Sequence, residues 1–326
     1  MILKQAFLSI STLAAMTMTA GAADMPVKAP RVVEQPQQVS GYVELYGGWA
    51  RTKESFTDCD PLCDSFSSTA SGWALGGAGR ATWWWATNYS LQLDAQGEGT
   101  SHKHTFGGGG FARTSSHSYL IGGHANWRDP GRGLIGIFGG AGDATNFMNF
   151  SSVRHGLIGA EGQLYWGPIT LYGQGGYQST LGGISSFNFD SIQAWFVRGT
   201  ARFYATPNLR FEGTVLYADG DYDVVAAQAP YTLDFQTWLW RAKVEYKFGT
   251  APFSIFAAYE GSRTKFDEVF GPADTRSTRV TDNRILGGIR LYLNENTLQW
   301  NDRNGTTLDI IAPFNAPSFI FTQAPS

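Results

Sequence analysis

Two histidines in this sequence, each with serines within a few residues, could support hydrolysis by an activated serine. A serine hydroxyl becomes a nucleophile when a histidine within hydrogen-bond reach removes its proton and a third polar group orients that histidine. The residues concerned are His117 with Ser115, Ser116 and Ser118, and His155 with Asn149, Ser151 and Ser152. Serine near histidine is common in polar segments, so this spacing alone does not define a hydrolase.

Metal and cofactor chemistry has weaker support. His102 and His104 stand two positions apart, but no carboxylate or third ligand lies near them in the sequence. The glycine run at 107–110 indicates a flexible loop, because a phosphate cradle would need a helix directly after it. The sequence therefore predicts no metal site and no cofactor.

Cys59 and Cys63 lie in the polar stretch DCDPLCDS. The chain begins with the features of an exported protein, and in such a compartment two nearby cysteines favour a local disulfide that closes a loop tip. A metal site is disfavoured because no histidine is close, and the spacing differs from the CxxC of redox enzymes. We predict a Cys59 to Cys63 disulfide.

The elements that would position these residues are strands. In residues 237–248, TWLWRAKVEYKF, every second side chain is apolar, and the alternate ones include Arg241, Lys243, Glu245 and Lys247. Successive side chains of a strand point to opposite faces, so this segment has one apolar and one charged face.

Eleven weaker copies of this pattern accompany that segment. Each has about ten residues, the length with which a tilted strand crosses the hydrocarbon layer of a membrane. The twelve predicted strands are 41–51, 73–83, 89–98, 118–127, 134–143, 155–166, 169–178, 193–205, 209–217, 237–248, 253–262 and 283–293.

Short and long connections alternate between these strands. Tight turns rich in Pro, Gly and Asn are expected at 86–88, 129–132, 167–168, 206–208 and 249–252. Long polar loops are expected at 52–72, 99–117, 144–154, 179–192, 218–236 and 264–282. The pattern predicts an all-β, up-and-down antiparallel transmembrane β-barrel of twelve strands in a bacterial outer membrane, with short periplasmic turns and long extracellular loops.

Aromatic residues precede the tight turns, where amphipathic rings would lie at the headgroup boundary. A β-sandwich gives no reason for this placement. The predicted aromatic girdle consists of Trp83, Trp84, Trp127, Trp166, Phe203, Tyr246 and Phe248.

Composition agrees with a barrel in the outer membrane of a Gram-negative bacterium. Glycine is frequent, at 40 of 326 residues, and only 16% of residues are charged, against a usual figure of about 25%. The net charge of −3 offers no basic excess for nucleic acid. We expect outer-membrane lipids, small hydrophilic solutes and the outer-membrane assembly machinery as partners.

The sequence divides into four segments, two before the barrel, the barrel itself and one after it. Residues 1–22 have the positive start, apolar run and small-x-small ending of a signal peptide, and 23–40 form a Pro- and Gln-rich periplasmic lead. The barrel is expected at 41–293. Residues 294–326 are open to three interpretations: a periplasmic tail, which we favour, a plug folded into the lumen, or a further hairpin at Asn304 and Gly305 giving fourteen strands.

The residues AADMPVKAP at 22–30 resemble the mature start of many outer-membrane proteins and porins of rhizobia and their alphaproteobacterial relatives. The resemblance covers about ten residues. It implies a porin-like outer-membrane β-barrel and says more about compartment than about activity.

The strand faces opposite the apolar ones would line the lumen, and they carry charges of both signs. The predicted basic lining is Arg80, Arg198, Arg202, Arg210, Arg241, Lys243, Lys247, Arg284 and Arg290. The predicted acidic lining is Glu44, Asp94, Glu98, Glu161, Glu212, Glu245 and Glu260. Acidic residues concentrate in the first half and basic ones in the second, which would orient polar solutes and favour anions near the basic arc.

These features predict a channel for passive diffusion of small hydrophilic solutes with a preference for anions, and not an enzyme. Two alternatives remain open. The charges could pair across the lumen and leave a structural barrel without conduction, and the Ser and His groups could belong to a lipid hydrolase, as in the twelve-stranded outer-membrane phospholipases.

Overall fold

The computed structural model describes residues 39–60, 62–105, 111–147, 150–182, 189–225, 230–269 and 275–316. The predicted signal peptide, almost all of the periplasmic lead and the segment at 22–30 lie outside these residues, as do residues 317–326. None of the helices in the described part is long and apolar enough to cross a membrane.

Twelve strands in the described residues form one closed antiparallel barrel in which each strand pairs with the next and β1 pairs with β12. The strands are β1 (Val39–Asp60), β2 (Leu62–Ala86), β3 (Tyr89–Thr105), β4 (Phe111–Asp129), β5 (Gly133–Phe147), β6 (Phe150–Trp166), β7 (Ile169–Thr180), β8 (Phe189–Thr206), β9 (Leu209–Val225), β10 (Pro230–Lys247), β11 (Phe253–Val269) and β12 (Thr275–Tyr292). This confirms the predicted fold and strand number. The closure leaves no strand edge unpaired, as a sheet in lipid requires.

The strand faces follow the alternation in the sequence. Leu45 and Leu75 are 68% and 71% exposed on the outside, whereas Glu44 and Ala74 on the other face are buried. The exterior is therefore apolar and the interior is mainly polar, which is the arrangement of a barrel surrounded by lipid.

The six segments predicted to be long loops are strands over much of their length, so the prediction was wrong there. Pairing of β1 with β2 continues through Cys59 and Cys63 to the tip, and pairing of β11 with β12 reaches Val269 and Thr275. Beyond the membrane the outer face of a strand contacts water and not lipid, so apolar residues no longer alternate with polar ones. The main-chain hydrogen bonds between the strands continue nevertheless. Long hairpins therefore occupy most of the regions expected to be loops.

After β12 the described chain turns into the barrel. Helix α1 (Leu298–Asn304) lies at the end with the short turns, the predicted periplasmic end, and a 3-10 turn (Pro313–Asn315) follows it inside the lumen. Thr297 begins α1 by accepting a hydrogen bond from the Trp300 N–H (3.1 Å), and the Gly305 N–H closes the last turn on Asn301 (2.9 Å). The predicted hairpin at Asn304 and Gly305 was therefore wrong.

Candidate functional site

The charged residues predicted to line the lumen face inward, and most of them form ion pairs. The centre of the network joins β1, β9, β10 and β12. Arg290 contacts Glu44 (2.6 Å) and Glu245 (3.0 Å), and Arg210 contacts the same Glu245 (2.6 Å). Glu245 on β10 thus holds arginines from β9 and β12 together, and Glu44 on β1 binds the second of them.

A second group of pairs lies nearer the extracellular end. Arg284 contacts Asp282 (3.0 Å) and Glu98, which joins β12 to β3 across the lumen. Arg241 donates from Nε to Glu260 Oε2 (2.7 Å) on the neighbouring strand. Opposite charges meet at hydrogen-bond distance in these contacts. They therefore weaken the electric field across the lumen that was expected from separate acidic and basic arcs.

Two predicted basic residues differ from this pattern. Lys247, at the periplasmic end, donates to the main-chain oxygens of Gly249 (3.3 Å) and Glu295 (3.2 Å). Arg80 donates to Gln96 (3.5 Å) and to the hydroxyl of Tyr42 and lies 3.9 Å from Asp94. Both side chains still face the interior.

A buried histidine that was not among the predicted lumen residues lies between two of the predicted acids. His124 on β4 lies with Nε2 3.0 Å from Asp94 and Nδ1 2.8 Å from Glu161. Glu161 also accepts from Tyr172 (2.7 Å) and Gln174 (3.1 Å). His124 occupies an inward position of its strand, so alternation could have identified it as a lumen residue.

The tail, which we define as residues 294–316, occupies the lumen. At the periplasmic end, the Gln299 N–H donates to Pro207 O (3.0 Å) in one short turn, and its side chain reaches Gly167 O (3.2 Å) in another. Trp84 donates from Nε1 to Asn304 O (2.9 Å). Helix α1 therefore lies against two of the turns that surround the periplasmic opening.

Two aspartates fasten the tail to the wall. Asp302 accepts from Arg202 (2.6 Å) and Thr170 (2.5 Å), and Asp309 accepts from Arg198 (2.6 Å). Burial opposes ionisation of each carboxyl group, but the neighbouring arginines outweigh it and hold the pKa of both below the ordinary value. The tail is thus held by charged hydrogen bonds.

Above Asp309 the tail becomes apolar. Phe314 is fully buried among Phe235, whose ring centroid is 6.2 Å away, and His155 at 5.8 Å. Ile310 and Ala312 belong to the same cluster, which takes in side chains from most of the wall. The extracellular half of the described lumen therefore contains an apolar core built around the tail.

These contacts change the interpretation of residues 294–326. The described part does not form a periplasmic tail as we favoured, nor a thirteenth and fourteenth strand. Its aspartates contact Arg198 and Arg202, which lie about 100 positions earlier in the sequence, and a local pattern cannot reveal such partners.

Two cavities adjoin between the tail and the wall. One has a volume of about 110 Å³ and the other about 40 Å³. The residues that line both are Glu44, Arg80, Arg241, Lys243 and Asp309. The tail residues that line one or the other cavity lie between Leu298 and Asn315.

Within the described part of the chain, strand alternation places most of the serines considered for hydrolysis on the face opposite their histidine. His117 is exposed, whereas Ser116 and Ser118 take the opposite face of β4, and Ser116 Oγ lies 2.5 Å from Thr100 Oγ1. Ser115 is the serine on the same face as His117. Ser116 and Ser118 point away from the His117 side chain because successive side chains of a strand alternate between its faces.

His155 is buried in the lumen, and neither ring nitrogen has a hydrogen-bond partner within the described part of the chain. Ser152 lies exposed on the opposite face of β6. Asn149 lies outside the described residues, as does the side chain of Ser151. The described contacts of His155 are with the apolar core.

The remaining sequence predictions have mixed outcomes. Most predicted girdle aromatics are exposed at the periplasmic end, but Trp84 is buried and faces the lumen. Trp84 stands between the exposed Trp83 and Trp85, so alternation requires the opposite face. A disulfide joins Cys59 and Cys63 at the tip of the first hairpin.

His102 is buried near Thr52, and the side chain of His104 lies outside the description. Among the described residues there is no group of three or more His, Cys, Asp or Glu side chains that could hold a metal ion.

No family model matches the chain, and no curated protein matches it in sequence. An outer-membrane channel from Pseudomonas putida F1 has a similar structure, with a TM-score of 0.50 at 9% identity over 80% of this chain and 100% of that one. OmpT of Vibrio cholerae in its trimer form gives 0.38 at 13% identity over 77% and 99%. A FadL homologue of Pseudomonas aeruginosa gives 0.36 at 11% over 78% and 90%.

The likeness to the Pseudomonas putida structure shows the fold alone. With the closed barrel, the apolar exterior and the polar wall, it defines a transmembrane β-barrel of the outer-membrane type. The predicted fold class and outer-membrane location are confirmed.

Proposed function

We propose that the protein is an outer-membrane channel for small hydrophilic solutes, and that its tail narrows the conducting path. The observation that carries this proposal is the pair of cavities between the tail and the wall, both of which are lined by charged side chains. A purely structural filling would not need charged side chains around such cavities.

The contacts that hold the lower part of the tail suit a reversible closure. Residues 305–312 form no strand ladder with the wall and are held by side chains such as Gln92, Arg198 and Arg202. Water in an opened lumen could replace these hydrogen bonds, so the free-energy difference between the closed and open states is smaller than for a paired strand.

The preference for anions also follows from the tail. With the tail in place, Asp309 neutralises Arg198, and Asp302 shares Arg202 with Glu212. When the tail leaves, Arg198 loses its carboxylate partner and Arg202 keeps only one. The opened lumen is therefore more positive than the closed one and favours anions.

Planar-bilayer recording tests this proposal. We expect a small conductance for the full-length protein, with rarer openings of larger size that select for anions in a salt gradient. A cysteine pair at Ser40 and Thr306, whose side-chain oxygens lie 3.3 Å apart, should form a disulfide that ties the tail to β1. Oxidation of this variant should remove the larger openings, and reduction should restore them.

The matched control is the single variant Thr306→Cys, which cannot form the tie and should keep the larger openings under the same oxidant. The variants should also carry serine in place of Cys59 and Cys63, so that the native pair does not exchange. An absence of ion current in every variant would refute the channel. Openings that persist after oxidation would refute the role of the tail.

The structural barrel without conduction is the second candidate. The apolar core around Phe314 favours it, because this core fills the extracellular half of the described lumen. The two functions differ in one measurement: a structural barrel would carry no current even after the contacts of Asp302 and Asp309 are removed.

A further inference from the structure

Lys243, which points inward from β10, has hydrogen-bond donors that the protein does not use. Its ammonium lies 3.8 Å from Glu44 Oε2 and 4.0 Å from Glu245 Oε2, beyond hydrogen-bond length. Both of these oxygens already accept from Arg290, at 2.6 and 3.0 Å. Within the part of the chain that the structure describes, no acceptor reaches the three N–H groups of Lys243.

The Lys243 side chain is nevertheless largely enclosed, since only 8% of it is exposed. Its nitrogen lies 3.8 Å from the ring centroid of Phe256, which supplies attraction but no hydrogen-bond acceptor. An ammonium that is largely withdrawn from water favours a ligand or water that offers acceptors.

The cavity of about 110 Å³ next to Lys243 has a polar and an apolar side. The charged side chains of the polar side are of both signs: Arg80, Arg241, Lys243 and Arg284 with Glu44, Glu98, Glu260 and Asp309. Each of the four carboxylates already contacts an arginine, which leaves Lys243 without a hydrogen-bonded partner among the described residues. Leu239, Leu286 and Ile311, the last of which belongs to the tail, line the apolar side. A molecule with a negatively charged head and a short hydrocarbon chain matches both sides.

The volume limits the size of that molecule. A dry cavity of about 150 Å³ in another protein holds benzene, which has six non-hydrogen atoms. By the same proportion the smaller cavity here accommodates between about four and five. Carboxylates with two or three carbon atoms have this number of non-hydrogen atoms.

We propose that this cavity binds a short-chain carboxylate, with its oxygens on the ammonium of Lys243 and its carbon chain between Leu286 and Ile311. The oxygens of Glu44 and Glu245 nearest Lys243 are engaged by Arg290, so the ligand need not displace an existing hydrogen bond of Lys243. Since Ile311 is part of the tail, a bound carboxylate also stabilises the state in which the tail fills the lumen.

The site goes beyond the proposed channel, because it requires the barrel and tail but no conduction. The test is calorimetric titration of the full-length protein, refolded in detergent, with sodium propionate at constant ionic strength. We expect saturable binding, and at least tenfold weaker binding of propanol, propylammonium and hexanoate. Chloride alone should give no saturable signal.

Substitution at Lys243 identifies the contact. Lys243→Met keeps the length of the side chain and removes its donors, so propionate binding should weaken about tenfold or more, as expected for a charged hydrogen bond. The matched control is Lys265→Met, because Lys265 is half-exposed near the extracellular end of β11 and pairs with Asp267 (2.6 Å). This variant should bind propionate as the unaltered protein does.

Ala258→Leu provides a second variant that keeps every charge, since Ala258 is buried and lines the cavity. The added methyl groups should fill the space and abolish binding, and this variant decides the question if Lys243→Met fails to fold. Unchanged propionate binding in either folded variant, hexanoate binding as tight as propionate, or no saturable binding would overturn the proposal. Conductance of the same preparation without propionate tests the channel separately.

Discussion

Replacing Asp309 by asparagine should release the tail from the wall more often. Asp309 accepts from the Nη2 of Arg198 (2.6 Å), and both side chains are almost completely buried. The substitution removes the negative charge but keeps a side chain of the same shape. Arg198 keeps its hydrogen bonds to Gln174 Oε1 (2.9 Å) and to the main-chain oxygen of residue 309 (3.1 Å).

The size of the effect follows from these contacts. Breaking a buried ion pair by removing one partner costs about 3–5 kcal/mol. Asparagine retains an acceptor and Arg198 retains two partners, so we expect about 2 kcal/mol, in the range of one hydrogen bond to a charged group. A loss of about 2 kcal/mol multiplies the ratio of released to bound tail by about 30.

Bilayer recording and labelling together measure this change. In Asp309→Asn the fraction of time in the larger conductance state should rise about thirtyfold, and a cysteine placed at Thr306 should react correspondingly faster with a hydrophilic maleimide. The matched control is Asp129→Asn at an exposed turn, where Asp129 lies 3.6 Å from the largely exposed Arg132. Equal opening and labelling in the two variants would refute the assignment of Arg198 and Asp309 as the fastening of the tail.

Three further outcomes are expected. Acidification from pH 8 to about pH 4 should not release the tail, because the folded pKa of Asp302 and Asp309 lies below the ordinary value. Their contribution to holding the tail is lost only as pH falls through that lower pKa. Larger openings at pH 5 would contradict this. Replacing Cys59 and Cys63 by serine should destabilise the hairpin tip by about 2 kcal/mol, measured as faster proteolysis there, while conductance stays unchanged. Trp84→Phe should weaken the tail contact at Asn304 by about 1 kcal/mol, seen as faster hydrogen exchange in α1; exchange equal to that of the unaltered protein would show that this hydrogen bond is unimportant.

The barrel could be predicted from the sequence because each strand carries its own signal. Apolar residues alternate with polar ones wherever the wall separates lipid from lumen, as at Val43, Glu44 and Leu45. The same rule assigns Trp84 to the lumen. We placed it in the girdle because we grouped neighbouring tryptophans by type and not by parity.

The lumen was predicted less completely, since its contacts join distant positions. The alternation shows that Arg198 and Arg202 face inward but does not identify their partners. Asp309 lies 111 positions after Arg198 in the chain, and no periodicity relates the two. The prediction of a free basic arc was incomplete because the tail supplies carboxylates that the strand pattern does not contain.

The sequence by itself determined the class of structure and the side of the wall on which each strand residue lies, because a membrane imposes a period of two on every strand. Tertiary structure alone decided what fills the lumen. The tail is short and without periodicity, with a polar first part and an apolar end, so its position depends on the sum of its contacts with Arg198, Arg202 and the apolar core around Phe314. Those contacts exist only after the barrel has closed and brought distant strands around one space.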